Sequence, residues 1–199
     1  MNDPVSQFDR AIELIDRASS EDPHRAMFGE VEVPAGLHYA QRMTHWLLQI
    51  EPNASEALRL AVRCQHLRRW LIPRSNYPMT RPGYHQWRTT LARFHADQAG
   101  KILRSVGDDE STILRVQSLI RKERLKSDPE AQTLEDVACL VFLEGDYIEF
   151  VRTHEQEKVI AILQKTWRKM SERGQAAALS LAKSLPEVER RLIEKALKG

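Results

Sequence analysis

One stretch of the sequence decides the fold: TLEDVACLVFL, residues 133–143. From Val137 to Leu143 nearly every position is apolar, so a helix built from it is apolar around almost its whole circumference. Helices of that kind lie buried inside a domain, whereas surface helices carry an apolar stripe on one side only. We therefore expect this helix, capped by Thr133, to be the most buried element, with other helices packed around it.

Around this stretch the chain reads as one helix after another. Segments with apolar residues at helical spacing begin near Asp3-Pro4, Pro34, Asn53, Tyr84, Asp109 and Val159. The segment from Asn53 is expected to run to about Leu71. Three prolines within residues 72–83 predict an ordered loop, and Val31 and Val33 suit an extended segment. We predict an all-α, compact multi-helix bundle forming a single domain over 1–199, with C-terminal helices 155–199 docked on it.

The composition is that of a globular protein with one hydrophobic core. A chain of 199 residues is long enough to bury such a core. No run approaches the roughly 18 apolar residues that cross a membrane, and Met1 to Arg10 is polar, so we expect a cytoplasmic location without a membrane partner. Cys64 and Cys139 lie in apolar, helix-like runs, which predicts two buried, reduced thiols.

Charge is distributed unevenly along the chain. The segment from Ala57 to Ala96 contains eight arginines but no Asp, Glu or Lys, while the whole chain carries a net charge of +2. A guanidinium presents a planar fork of donors that suits phosphate and carboxylate oxygens. Because arginines with a purely structural role normally bring their own carboxylates, we interpret this segment as an anion-binding surface.

Aromatic residues alternate with these arginines. The combination suits a site that stacks on a base and holds a phosphate. The candidate substrate-binding residues are Arg68, Arg69, Arg74, Tyr77, Arg81, Tyr84, Trp87 and Arg88. The alternative is structural, because arginines also stack on aromatic rings within a fold and Arg59, Arg63 and Arg93 can face solvent on their helices.

Histidines and one aspartate on separate helices suggest a metal site. Helical bundles build such sites from side chains that converge from several helices. His38, His66, His95 and Asp136 would together suit a divalent Mn, Fe, Co, Ni or Zn ion, with Glu135 or His85 as a general base. Two alternatives stay open: each histidine can be a hydrogen-bonded, half-buried residue, and Asp136 can close a capping box with Thr133.

Four segments resemble the HD-domain superfamily of helical, metal-dependent phosphohydrolases. They are Leu37-His38, the run from Ala61 to His66, the run from Arg93 to Leu103, and Glu135-Asp136-Val137-Ala138. The resemblance covers about 34–150 and implies an HD-like core in which His38, His66, His95 and Asp136 bind the metal. Leu67 departs from the pattern, because that superfamily has an Asp after the histidine of the second segment.

Longer motifs resemble a family described as a domain of unknown function (DUF family 4202). They are Gln65-His66-Leu67-Arg68-Arg69-Trp70, Pro73-Arg74 with Tyr77-Pro78, Gly83-Tyr84 with Trp87-Arg88, the run from Gln132 to Leu143, and the run from Lys165 to Ser171. The resemblance covers nearly the whole chain. Some members of that family are labelled glutamyl-tRNA synthetase-like. Lys169-Met170-Ser171 matches the synthetase signature loop, but it lies in a helical pattern without a preceding nucleotide-binding sheet.

Three functions follow as alternatives. The first is a metal-dependent phosphohydrolase acting on a nucleotide or an RNA phosphate ester. The second is a non-catalytic module that binds a nucleotide or RNA through residues 57–96. Leu67 favours this alternative, because it occupies the position where the hydrolase pattern has an Asp. The third is a protein-interaction scaffold that meets an acidic partner. The expected ligand of the first two is a phosphate-bearing small molecule or RNA.

Overall fold

The computed structural model describes residues 6–198 and is built mainly from helices. Helix α1 (Gln7–Ser20) is followed by an antiparallel hairpin of β1 (Arg25–Phe28) and β2 (Val31–Pro34). The other helices are α2 (Ala35–Ile50), α3 (Glu56–Arg63), α4 (Arg81–Ser105), α5 (Glu110–Ile120), α6 (Pro129–Val141), α7 (Tyr147–Thr153), α8 (Gln156–Trp167), α9 (Glu172–Ala182) and α10 (Glu187–Lys198). The predicted all-α fold is confirmed, and Val31 and Val33 are extended.

Helix α6 lies at the centre, as its apolar circumference predicts. It packs against α2, α3, α5 and α9, and Leu134, Val137 and Leu140 are fully buried. A single hydrophobic cluster runs from Ala11 in α1 to Ala196 in α10. The C-terminal helices therefore share their apolar side chains with the same core. None of the helices in residues 6–198 has the length and hydropathy needed to cross a membrane.

Helix starts follow local capping chemistry. Ser6 caps α1 by accepting a hydrogen bond from the Asp9 amide, and Asp109 caps α5 by accepting one from the Thr112 amide. Such caps satisfy amides that have no partner inside the helix. The predicted Asp3-Pro4 start lies outside the described residues.

Helix α6 begins earlier than predicted. Asp128 is its N-cap and Pro129 its first residue, so Thr133 lies one turn inside the helix and donates its hydroxyl to the Pro129 carbonyl. A proline is tolerated at the first helical position because its missing N–H has no partner there anyway. The proposed capping box between Thr133 and Asp136 is therefore wrong.

The connection between α3 and α4 is longer than the sequence pattern predicts. Helix α3 ends at Arg63 rather than Leu71, and Arg68 follows with a left-handed backbone (φ 54°) before a 3₁₀ turn at Arg69–Leu71. Helix α4 begins at Arg81, three residues before the predicted Tyr84, because Thr80 caps it.

The connection is ordered, as the prolines predict. Arg74 donates to the carbonyls of Tyr77 (2.9 Å) and Pro78 (2.7 Å), and Trp87 on α4 donates its ring N–H to the Ile72 carbonyl (2.9 Å). A Cβ at Gly83 would come within 2.2 Å of the Pro78 oxygen, so the helix start and the loop touch. These contacts hold the residues between α3 and α4 against the side of the bundle.

A π-helical segment, Phe142–Asp146, joins α6 to α7. Arg42 on α2 holds it in place by donating to the Val141 carbonyl (2.6 Å) and to the Glu144 carboxylate (2.6 Å). Wide helical turns of this kind are rare and occur frequently at functional sites. Here the turn brings Phe142 and Asp146 to the wall of the same cavity.

Candidate anion-binding cleft

Three adjoining cavities share His66 and Arg69 as lining residues, and we call them together the cleft. The inner lobe, about 360 Å³, lies between α4 and the end of α5. The central lobe, about 250 Å³, reaches α6, and the hairpin lobe, about 240 Å³, lies beside β1 and the start of α2. His66 and Arg69 thus stand where all three lobes meet.

Two histidines lie together at this meeting point. The His66 ring is stacked on Tyr39, with centroids 4.1 Å apart, and its centroid is 5.9 Å from that of His95 on α4. The Leu67 carbonyl lies 2.7 Å from Nδ1 of His95. Because a carbonyl only accepts, Nδ1 carries the proton and Nε2 is a bare acceptor. The turn after α3 therefore fixes the tautomer of His95.

Both histidines are held in the neutral form. Burial lowers the pKa of His95 to about 4; the hydrogen bond to Leu67 opposes this, and the charges of Arg69 and Arg88 add to it. Burial, then the charges of Arg69 and His95, lower the pKa of His66 well below its ordinary value. At neutral pH the positive charge of the cleft therefore comes from arginine and lysine alone.

Arg69 is a half-buried cation held in one position. Its guanidinium lies over the Trp87 ring (4.7 Å to the centroid) and 3.2 Å from Nε2 of His66. Burial, followed by the charge of Arg88, lowers its pKa. Among residues 6–198, no carboxylate forms an ion pair with Arg69 or with Arg88, although other arginines of the segment have such partners. The two cations line the same two lobes, whose carboxylates (Glu123 in the inner lobe, Glu135 and Asp146 in the central lobe) form no ion pair with either of them.

Two lysines complete the central lobe. Lys122, which has a left-handed backbone (φ 56°), donates to the buried carboxylate of Glu135, and Nζ of Lys169 lies 3.7 Å from its other oxygen. Burial alone would raise the pKa of Glu135, but Lys122, Lys169 and the charge of Arg88 together outweigh it and the pKa is lowered. Glu135, predicted as a general base, instead anchors the lysines at the wall of the cleft.

Several predicted substrate-binding residues serve the fold instead. Arg68 donates to Glu21 (2.8 Å) and Gln98 (3.2 Å), and the guanidinium of Arg74 is occupied by the loop carbonyls. Trp87 is buried beneath Arg69, and Tyr77 lines none of the three lobes. Of the predicted arginines, the structure brings only Arg69 and Arg88 to the cleft.

Arg81 and His85 lie outside the three lobes, and Tyr84 lies at the border of the central lobe. They line a wide outer groove of about 810 Å³ together with Lys165, Arg168 and Lys169. Tyr84, Phe142, Thr166 and Lys169 line both this groove and the central lobe, so the two adjoin. His85 is therefore separated from His66 and His95 and is not placed to act with them.

The four predicted metal ligands do not form a site. Asp136 is fully buried, and its carboxylate accepts hydrogen bonds from the Ser171 amide (2.8 Å), the Ser171 hydroxyl and the Gln132 amide (2.9 Å). His38 lies in the hairpin lobe, where burial and Arg42 lower its pKa. Within the described part of the chain, no three His, Cys, Asp or Glu residues are grouped to hold a metal ion. Arg69, Arg88 and Lys122 would also repel one.

Sequence reasoning missed several polar residues of the cleft, among them Tyr39, Gln65, Lys122, Asp146 and Lys169. Lys122 lies in a basic run, RKERLK at residues 121–126, which directly follows α5 and was a usable signal. Tyr39 and Gln65 gave no signal in the sequence, because each is an ordinary helix or turn residue next to a candidate histidine.

Both thiols are buried, as predicted, and burial raises the pKa of Cys64 and of Cys139 to about 12.

No curated protein and no solved structure is detectably similar to the chain. The resemblance to the HD-domain superfamily is accordingly not shown. A family model does match residues 9–193, which includes every residue of the cleft. The chain therefore belongs to the family described as a domain of unknown function (DUF4202).

Proposed function

We propose that this protein binds a phosphate-bearing small molecule in the cleft, with Arg69 and Arg88 holding the phosphate. One observation carries the proposal: Arg69 is a half-buried guanidinium with no carboxylate within ion-pair distance among residues 6–198, and the exposed Arg88, which also forms no ion pair there, lines the same two lobes. Removing a charge from water is unfavourable unless an opposite charge accompanies it. An anion bound between the two arginines would supply that charge.

The arrangement of donors favours a phosphate. Five of the thirteen residues lining the inner lobe are Arg or Lys and one is Glu. The central lobe adds Lys122 and Lys169, against the carboxylates of Glu135 and Asp146. A phosphate group has oxygens on all sides and can accept from several cations at once, including two donors of one guanidinium fork. The neutral histidines add no positive charge, so binding depends on the arginines and lysines.

The dimensions favour a small molecule. Small-molecule sites are concave and commonly measure about 300–1,000 Å³, and the inner lobe at about 360 Å³ falls within that range. A longer polyanion such as RNA would have to continue into the outer groove, where Arg81, Lys165 and Arg168 are exposed. Binding of an oligonucleotide in preference to a mononucleotide would therefore argue for RNA and against this proposal.

Calorimetric titration tests the proposal. Inorganic phosphate, ribose 5-phosphate and AMP are titrated into the protein at low and high salt, with Arg69→Met, Arg88→Met and Arg59→Met as variants. We expect saturable binding that weakens with salt and is lost or much reduced in the first two variants. Arg59 lies over the Phe8 ring, outside the lining of the cleft, so its variant should bind normally. No binding of any of the compounds, or full binding by Arg69→Met, would overturn the proposal.

Metal-dependent phosphoester hydrolysis stays a prediction from the sequence. Elemental analysis of the purified protein, together with release of phosphate from AMP, would test it. A stoichiometric divalent metal would support it, although the cleft does not assemble the predicted ligands. We also propose the cytoplasmic location expected from the sequence. It agrees with binding of a phosphate-bearing small molecule, because most phosphorylated metabolites are retained inside the cell.

A further inference from the structure

We infer that the ligand of the inner lobe carries hydroxyl or amino donors in addition to its phosphate, and that Nε2 of His95 and Oε1 of Gln65 accept hydrogen bonds from them. The inference rests on the proposed function and narrows the class of ligand. It comes from two buried acceptors that line the inner lobe and that phosphate binding leaves unused.

His95 is the stronger of the two observations. Its side chain is almost fully buried, with 3% of the residue exposed, and Nε2 has no hydrogen-bond partner among residues 6–198. Buried polar atoms in native proteins nearly always have partners, and one without a partner carries a free-energy cost. Because Leu67 fixes the proton on Nδ1, Nε2 can only accept. A donor that comes from outside the fold would relieve this cost.

Gln65 offers a second acceptor at the same lobe. The residue is 6% exposed, and its Oε1 likewise has no hydrogen-bond partner in the described part of the chain. A side-chain amide can rotate to present either oxygen or nitrogen, whereas the tautomer of His95 is fixed. His95 therefore carries the inference, and Gln65 supports it.

The charges around these acceptors determine what kind of donor they meet. Protonation of Nε2 is opposed by burial and by Arg69 and Arg88, as the lowered pKa of His95 shows. A metal ion or an ammonium group would meet the same repulsion. A neutral O–H or N–H donor does not, so the acceptors suit the uncharged part of a ligand whose phosphate lies on the arginines.

The layout of the cleft agrees with a ligand of two parts. Arg69 and Arg88 line both the inner and the central lobe, while His95 lines the inner lobe only. A phosphate held by the two arginines can therefore leave the rest of the molecule in the inner lobe, beside Gln65 and His95. The ligand class is a phosphorylated compound whose remainder presents hydroxyl groups, as a sugar does, or an amino group, as a nucleobase does.

Two matched pairs of compounds test the inference by calorimetric titration. Ribose 5-phosphate is compared with cyclopentylmethyl phosphate, which keeps the phosphate and a five-membered ring but lacks the hydroxyls. AMP is compared with purine riboside 5′-monophosphate, which lacks only the exocyclic amine. We expect a preference of about tenfold or more for the donor-bearing compound in at least one pair, and the pair shows whether hydroxyl or amine is the source.

The variant His95→Asn links that preference to Nε2. The Asn amide can keep the donor to the Leu67 carbonyl but has no group at the position of Nε2, so we expect the preference to disappear while inorganic phosphate binds as before. Gln65→Met, which leaves the Leu67 contact intact, should halve the preference or reduce it further. It also serves as the readout if His95→Asn does not fold.

The outcomes separate this inference from the proposed function. If inorganic phosphate and all four esters fail to bind, the proposed function fails. If they bind but neither pair shows a preference, the cleft binds phosphate and the inference is overturned. It is equally overturned if the preference survives in both variants, since an ordered water on Nε2 would then satisfy the acceptor instead of the ligand.

Discussion

Two groups of arginines within residues 57–96 differ in what surrounds them. Arg63 makes two hydrogen bonds of 2.7 Å to Asp16 on α1, and Arg68 is 2.8 Å from Glu21, just beyond that helix. Arg69 and Arg88 face the cleft without any carboxylate partner in residues 6–198. The segment lacks acids in its own sequence; the fold brings carboxylates into ion-pair contact with Arg63 and Arg68 but not with Arg69 and Arg88.

This difference shows how an acid-free run of arginines should be interpreted. An acid-free run of arginines does not show by itself that they bind a ligand, because partners can come from a distant part of the chain. An unpaired, half-buried cation such as Arg69 does point to a ligand, since a fold without one would leave its charge uncompensated. Arginines of the first group should matter for stability, and those of the second for binding.

The largest expected effect is the loss of stability in Arg63→Met. The substitution leaves Asp16 without its bidentate partner and Thr44 without a donor at 3.1 Å. Since breaking a largely buried ion pair is strongly destabilising, the free energy of unfolding should fall by about 2–4 kcal/mol. Urea denaturation measures this. Ribose 5-phosphate should still bind the folded variant normally. An unchanged free energy of unfolding would contradict the assignment of Arg63 to a structural group.

Arg88→Met should show the opposite behaviour. Arg88 forms no ion pair within residues 6–198 and is exposed at the cleft, so the free energy of unfolding should change by less than about 0.5 kcal/mol. Affinity for ribose 5-phosphate should fall about 10- to 100-fold, because a charge-assisted hydrogen bond is lost. Titration calorimetry and urea denaturation on the same variant give both values. Equal affinity with lower stability would place Arg88 in the structural group.

The pH dependence of stability tests whether the cleft keeps its histidines neutral. The pKa of His95 is about 4 in the folded protein against 6.5 for an ordinary histidine. As the pH falls below about 6.5 the unfolded chain takes up this proton first, so stability present above pH 6.5 is lost down to about pH 4. The loss is at most about 1.4 kcal/mol per pH unit for each such histidine. Urea denaturation at pH 7, 6 and 5 should show it.

His95→Asn provides the control for that measurement. Without the imidazole, the slope of stability against pH between 6.5 and 5 should flatten, with only His66 and other groups contributing. A slope identical to that of the unsubstituted chain would mean that His95 is not held neutral by the cleft.

The smallest effect is expected for Arg81→Gln. Arg81 is exposed in the outer groove and has no ion-pair partner in the described residues, so it belongs to neither group. A small ligand held at Arg69 and Arg88 would feel its charge only through solvent, and affinity for ribose 5-phosphate should change less than about threefold. A loss as large as that in Arg88→Met would instead extend the binding surface into the outer groove.

Local chemistry made most helices predictable. Capping by Asp109 predicts the start of α5 at Glu110, and apolar spacing predicts the span of α2 from residue 35 to 50. The start of α6 was misplaced because Thr133 and Asp136 imitate a capping box, although Asp128-Pro129 is the stronger signal. The end of α3 could not be predicted from the sequence. Apolar residues continue at helical spacing to Leu71, whereas the backbone becomes left-handed at Arg68.

The cleft was predictable only in part. The expected proximity of His66 and His95 is found, and Arg69 and Arg88 line the lobes as candidates should. The pairing of Arg63 with Asp16, across 47 positions of sequence, depends on how α1 packs and cannot be read from the segment itself. For the same reason Asp136, which looked like a metal ligand, proved to be the partner of Ser171.

The contact of Asp136 with the C-terminal region has a consequence for how this chain can evolve. A Cβ added at Gly174 would lie 2.6 Å from the carboxyl carbon of Asp136, which is already fixed by Ser171. Any side chain at residue 174 would push the buried Asp136 carboxyl group away from its donors. Related chains are therefore expected to keep this aspartate–glycine combination or to replace both residues together, so the two positions should covary.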